Sequence, residues 1–418
     1  MMIFKKLQWG IEYAVYRAVE IGMAILSAEQ VFSLGHYLGL LMFHTYRSRR
    51  AIVIRNLRMA YGNEMSLEDI KSLAHDVFTR SGSNLLSSFR TASFSDEELA
   101  KRMHYPQLEE FKRLFRDKKG VVLLVPHMGN WELLAQAIRY LEPGDQLATH
   151  YRKLNNPYLN THVEAQRAAH GTQLFSKDDS PHAIISLLRE GGAIGVLADQ
   201  RAGHAGYWAT YYGNFTTCSP LPEILSKRTG AEVALMYIKT TSPAHWEVIV
   251  ETLSDTSTPA CMKALERATR SSPSDVFWFQ ERWKITRSNP FGITGKIHPE
   301  VDLDSPANPL RLLIWLPSPD ASLPALPEKR RSDLQLEVVY PEGSTPPSYP
   351  EIPWSRTWPV DASLESEQLP RILRAIDEAE AYPLSGVITT TSSSAIKTAT
   401  KRVGARYCVV SDSASPQN

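Results

Sequence analysis

A chain of 418 residues, 43% of them apolar, has the content for two or three cored domains and falls outside the disordered class. Its 46 basic and 45 acidic residues leave a net charge of +1, so no global field selects nucleic acid as a partner. Cys218, Cys261 and Cys408 lie far apart without CxxC or Cys/His spacing, which suggests neither a disulfide framework nor a structural zinc site and fits a reducing compartment.

The first 50 residues begin basic, stay largely apolar and end in Arg47, Arg49 and Arg50. Glu12, Arg17, Glu20 and Glu29 interrupt the run, so it never reaches the roughly 20 apolar residues of a spanning helix. No small-residue cleavage site follows a short apolar core, which argues against a secretory signal. Two amphipathic helices are expected, with Trp9, Tyr13, Tyr16 and Tyr46 suited to a headgroup zone and the arginines to anionic lipid. The alternative is a helical hairpin covering a soluble core.

Residues 65 to 118 read as polar helices, opened by Ser66 three positions before Asp69, close to a capping box. Short apolar runs then follow at Val121 to Val125, Ala193 to Ala198, Val233 to Ile238 and Val248 to Leu253, separated by helical stretches. This alternation predicts an α/β layer structure with a largely parallel sheet. Ser180, Pro181 and Gly191 bracket one helix, and Ser219, Pro220 and Gly230 another. Residues 287 to 309 are rich in Pro, Gly, Asn and Asp and read as a linker. Beyond it, strands at "LRLLIWLP", "LQLEVVYP", "SGVITTT" and "RYCVVS" and helices at "SEQLPRILRAIDEAEAY" and "SSAIKTATKRVG" predict a second, small open α/β unit. The expected division is 1–50 membrane-associating, 51–290 main domain, 291–308 linker and 309–418 accessory domain.

The stretch "VVLLVPHMGNWELLAQAIRYL" places His127 at the carboxyl end of a strand and Glu132 in the first turn of the following helix. Ligands of open α/β sheets bind at that edge, beside the positive helix end. A carboxylate that accepts one ring N–H leaves the other nitrogen free to take a proton from a hydroxyl. The competing reading is a histidine bonded to backbone at an ordinary corner. For Asn130 a helix cap competes with a substrate contact, and for Trp131 a core position competes with a channel wall.

"HMGNWE" resembles the His-x4-Asp/Glu motif of the glycerolipid acyltransferase superfamily, and its fuller form is similar to the bacterial lipid A biosynthesis (lauroyl and myristoyl) acyltransferases. "RRAIVIRNL", "YRKLNNPYLN", "GGAIGVLADQ", "YYGNFTT", "SKRTGAEVALMYI" and "FWFQERWKITR" agree in order, so the resemblance covers roughly residues 1 to 290. It implies a mixed sheet flanked by helices and transfer of a fatty acyl group from an acyl carrier protein or coenzyme A thioester to a lipid hydroxyl. The implied setting is the cytoplasmic face of the inner membrane, without a metal or redox cofactor. In this reading His127 is the general base and Glu132 its orienting partner. Arg152 holds a phosphate or the developing oxyanion, Asp199 and Gln200 line the same sheet edge, and Tyr212 with Gly213 shapes the pocket. Trp278, Arg282 and Trp283 form a closing segment whose arginine faces phosphate. Arg152 has a surface arginine as its alternative, and Asp199 a turn cap.

The C-terminal segment bears a fainter likeness to the N-terminal half of heptosyltransferase-like glycosyltransferases, a Rossmann-like unit, with Pro319-Asp320 where a Gly-Asp turn is usual. Such enzymes work between two halves, so this domain is expected to bind a sugar-bearing acceptor or a partner rather than to catalyse alone. Two other functions stay open. One is the same chemistry on a glycerophospholipid, aminolipid or polyprenyl glycolipid; the other is a non-catalytic membrane scaffold for lipopolysaccharide-assembly enzymes.

Overall fold

The mixed N-terminal stretch folds as two helices, α1 (Met2–Ile25) and α2 (Ala28–Thr45), with Gln30 and Ser27 exchanging side-chain and backbone bonds at the break. The structure, a computed structural model, describes residues 2–151, 153–176, 179–302, 307–316, 318–361 and 366–410. No helix among them is long and apolar enough to cross a membrane. Phe4, Leu7, Ile11 and Val15 nevertheless recur at helical intervals along α1 and are exposed, as are Leu34, Tyr37, Leu38 and Leu41 on α2. Then come α3 (Arg47–Tyr61), α4 (Leu67–Thr91), α5 (Asp96–Arg102) and α6 (Leu108–Arg116). Ser66 accepts from the backbone N–H of Asp69 at 3.1 Å and donates to its carboxylate at 2.6 Å, the start expected for α4. Gly39 lets α2 approach α4 closely, because a Cβ there would fall on the Phe78 carbonyl.

By contact density the chain divides into two compact units: Met1–His44, His75–Gln200 and Ser219–Phe277 make one, and Thr45–Ala74, Arg201–Cys218 and Trp278–Asn418 the other. This partition is discontinuous and does not follow the boundaries expected at 50, 290 and 308.

The strands in chain order are β1 (Met103–His104), β2 (Val121–Val125), β3 (Leu147–Tyr151), β4 (Gln173–Ser176), β5 (Ala193–Leu197), β6 (Tyr207–Tyr211), β7 (Asn214–Cys218), β8 (Glu232–Ser242), β9 (His245–Thr252) and β10 (Lys296–Ile297). The first unit is built on a seven-stranded sheet ordered β1-β9-β8-β2-β5-β3-β4, in which only β8 and β9 run antiparallel. All five residues of β2 are buried, the unbroken apolar run expected of a central strand covered on both faces. Val121, Leu123 and Val125 share a core with Phe111, Leu114, Phe115 and Trp246, and each such side chain contributes about 1.5–3 kcal/mol. Helices α7 (Pro157–Ala168), α8 (Pro181–Arg189), α9 (Leu221–Thr229) and α10 (Thr258–Ser271) complete the unit. Ser180 caps α8, and Gly230 ends α9 at φ 76°. Pro220 stands in the cap position of α9, and Ser219, one residue earlier than expected of a cap, accepts from the first helical N–H, that of Leu221, at 3.4 Å.

In the second unit β10, β6 and β7 form a small sheet. The hairpin β6-β7 turns through Tyr212 and Gly213, both at positive φ, a conformation glycine accepts and tyrosine resists. Tyr212 is buried against Tyr61, Tyr211 and Trp278, which hold it there. The expected linker is also packed: Phe291 and Ile293 are buried, and Trp208 donates to the Thr294 carbonyl at 2.8 Å. Its turn-forming residues hide apolar anchors that need a core.

The same unit contains β11 (Leu310–Trp315), β12 (Leu334–Pro341), β13 (Arg356–Val360), β14 (Leu384–Thr389) and β15 (Arg406–Val409), all parallel, in the order β13-β12-β11-β14-β15, with α11 (Leu369–Glu378) and α12 (Ser394–Arg402). The strands expected from sequence are there, and β13 is an addition, hidden in a stretch interrupted by Pro359. Arg311 and Glu337 lie side by side on β11 and β12 as a fully buried pair at 2.6 Å. Arg311 also donates to the carbonyls of Ile376, Asp377 and Tyr382, which ties the end of α11 to the sheet.

Candidate active site

Strands β2 and β5 are parallel neighbours with Val125 opposite Leu197. Continuing each by two residues brings His127 beside Asp199 at the carboxyl edge of the sheet. Asp199 accepts twice from this residue, from its backbone N–H at 2.9 Å and from imidazole Nδ1 at 2.7 Å. With Nδ1–H donated, Nε2 is left as the acceptor, and the Gln200 side-chain amide sits 2.9 Å from it. The turn after β2 is pinned from the opposite side. Phe277 N–H donates to the His127 carbonyl and Gly129 N–H to the Asp275 carbonyl, each at 2.9 Å. Gly129 is at φ 57°, where a Cβ would strike the Ile238 carbonyl, so the turn demands glycine. Asp275 is itself buried and accepts from Thr240, Asn84 and Ser272. The imidazole is thus mounted on a stiff base.

Glu132 does not make the hydrogen bond expected of it. Its carboxylate receives both guanidinium arms of Arg167, at 2.9 and 2.7 Å, while the ring of His127 is turned to Asp199. The cause is local: residues Trp131–Tyr140 form a 3-10 helix rather than an α-helix, and a bidentate arginine from α7 takes the carboxylate first. Glu132 still acts on the imidazole through space. Burial disfavours the imidazolium, yet the charges of Asp199 and, more weakly, Glu132 outweigh it and raise the His127 pKa.

Trp131 packs edge-on against the His127 ring at 5.4 Å and against Phe277 at 5.6 Å, so it walls the imidazole while resting on the core. Asn130 is buried and makes no side-chain cap; its amide reaches Thr91 at 3.4 Å, and its Oδ1 has no partner among the described residues. Asn130 stands at the cap position expected of it, but a 3-10 start leaves its carbonyl, not its side chain, to accept from Leu133. Arg152 lies outside the described residues. Tyr212 and Arg282 belong to the second unit. Arg282 is buried there, donating to Thr216 Oγ1 at 2.9 Å and to the Thr217 carbonyl at 3.0 Å, with its guanidinium over the Tyr211 ring.

Arg167 and Phe277 are participants that the sequence reading missed. Arg167 had a signal in its place on a helix near the glutamate-bearing turn, but nothing in one chain reveals which carboxylate it meets. The same helix meets α1: Asn156 donates to the Trp9 carbonyl and to Glu12, and His162 contacts Glu20.

A family described as "Bacterial lipid A biosynthesis acyltransferase" matches residues 2–285. Among characterised proteins the chain is similar to "Lipid A biosynthesis acyltransferase 2" of Shigella flexneri, at 24% identity over 170 residues, 40% of this chain and 53% of that one. It is also similar to "Lipid A biosynthesis myristoyltransferase" of Escherichia coli (strain K12), at 22% identity over 185 residues, 43% and 56% of the two chains. The chain spans about half the length of these relatives. With the family's pattern running across some two thirds of its residues, the chain belongs to the bacterial lipid A biosynthesis acyltransferase family.

Proposed function

We infer that this protein transfers a fatty acyl group from a carrier-protein or coenzyme A thioester to a hydroxyl of a lipid A-type glycolipid. The observation that carries the reading is the His127–Asp199 couple at the carboxyl edge of the sheet, in a chain of this family. Asp199 fixes Nδ1 as the protonated nitrogen, and Nε2 takes the proton of the acceptor hydroxyl as its oxygen attacks the thioester carbonyl. Collapse of the tetrahedral intermediate expels the thiolate, and the imidazolium returns the proton to the leaving sulfur. The Gln200 amide at Nε2 is displaced by the incoming hydroxyl and is placed to hold it. Cys261 and Cys408 are buried, and burial pushes their thiols up to about 12 and about 11, which suits direct transfer without a cysteine acyl-enzyme.

A lipid acceptor stays in its bilayer, so the enzyme must meet it there. The exposed apolar stripe on α1, with Lys5 and Lys6 beside it, supports docking of that helix in the cytoplasmic leaflet of the inner membrane. The mixed first sheet supports a glycerolipid-acyltransferase-like domain. The strand order β13-β12-β11-β14-β15 supports a Rossmann-like reading of the other sheet.

Mass spectrometry of total lipids tests the acceptor. Cells lacking the protein are expected to accumulate one glycolipid species lighter by a single acyl chain, restored by the wild-type gene. A missing chain on a glycerophospholipid, or no lipid change, overturns the lipid A-type assignment. A second expectation concerns pH. A base works only when neutral, so a pKa raised above 6.5 makes kcat/KM fall as pH drops through that raised value. Asp199→Asn removes the anion that raises it, so the acidic limb moves to lower pH while the plateau rate drops by about tenfold or more. A limb that stays in place removes Asp199 as the partner of the base.

A further inference from the structure

The second unit contains a cleft of about 870 Å3, walled by α3, the segment 281–288, α12 and β15. Arg49, Lys284, Arg287, Lys397, Lys401 and Arg406 line it, against one carboxylate, Glu281, which Lys284 already pairs at 3.0 Å. Among the described residues no carboxylate forms an ion pair with Arg287, Lys397 or Lys401. So many like charges around one cavity repel each other until an anion sits among them.

Two further observations point the same way. Arg406 has a buried Nε without a partner among the described residues, although its Nη1 donates to the Ile285 carbonyl at 3.3 Å. Helix α3 starts with arginines and no acidic residue in its first turn, and Tyr46 offers it no side-chain cap. Cations at a helix N-terminus oppose its dipole, and a bound anion reverses that penalty. The rest of the wall carries the hydroxyls of Ser48, Ser288 and Ser392, with Ile52 and Val409 as its large aliphatic residues, while the Tyr407 hydroxyl is taken up by Thr389, Thr391 and Ser393. The volume far exceeds one phosphate, and the lining suits a polyhydroxyl ring better than an acyl chain.

We propose that this cleft binds a sugar carrying one or more phosphate esters, the cations taking the phosphates and the hydroxyls taking the ring. The proposal uses none of His127, Glu132, Asp199 and Gln200, so it stands or falls apart from the proton-transfer step.

Calorimetry of the full chain with fructose 1,6-bisphosphate, fructose and inorganic phosphate is the first arm. The bisphosphate is expected to bind with a Kd below about 1 mM, more tightly than inorganic phosphate, while fructose does not bind. Lys397→Glu with Lys401→Glu, both exposed, should weaken the bisphosphate at least about tenfold. The glutamine pair, checked for an unchanged melting curve, keeps the test open should charge reversal unfold the chain. The second arm uses phosphatidylcholine vesicles doped either with a diphosphorylated glycolipid or with phosphatidylglycerol. Loss of the glycolipid vesicles together with the bisphosphate assigns a lipid-borne sugar phosphate, and loss of only the soluble bisphosphate assigns a free one. Equal loss of phosphatidylglycerol vesicles, or unchanged bisphosphate affinity, overturns the proposal.

Discussion

Replacing His127 with alanine is expected to lower thioester-dependent acyl transfer by about two orders of magnitude or more, with little change in the melting temperature. The Nε2 acceptor disappears, while the backbone N–H of residue 127 still reaches Asp199 and the turn keeps its bonds to Asp275 and Phe277. A His127→Gln variant holds the volume of the ring and should be as slow, which separates lost basicity from lost packing. The measurement is single-turnover transfer from an acyl carrier protein thioester to a deacylated glycolipid. Wild-type rates in either variant would reject the imidazole as the base. Failure of the parent protein to transfer from any thioester would instead favour the scaffold reading.

The largest expected effect on stability comes from Arg311→Met. Arg311 and Glu337 are each fully buried, and the guanidinium serves four acceptors at once. Removing it leaves a carboxylate with, among the described residues, the Trp358 indole N–H at 2.8 Å as its remaining side-chain donor and strands the carbonyls at the end of α11. Breaking such a pair costs about 3–5 kcal/mol, because the remaining charge stays desolvated. The double variant Arg311→Met with Glu337→Leu should recover a good part of that loss. Urea unfolding followed by circular dichroism reads both, and a single variant within about 0.5 kcal/mol of the parent would contradict the account.

Much of the fold is legible in residue order because it follows from short-range chemistry. The apolar runs at 121–125, 193–197, 310–315 and 334–341 become strands since only a doubly covered sheet can hide them. Ser66 and Ser180 start helices where their side chains meet free N–H groups. The hairpin β6-β7 was harder to see, for its turn needs a tyrosine at positive φ, which only the surrounding aromatic rings make tolerable.

At the candidate site, sequence alone singled out His127, placed it where a strand ends, and placed Asp199 and Gln200 at the end of another strand. It could not decide which carboxylate meets the ring. Glu132 is five residues from His127 and Asp199 is seventy-two, yet the nearer one is held by Arg167 and the farther one by the imidazole. That choice belongs to the tertiary structure, because lateral pairing of β2 with β5 sets two strand ends in register, and hydrogen bonds are decided by distance in space.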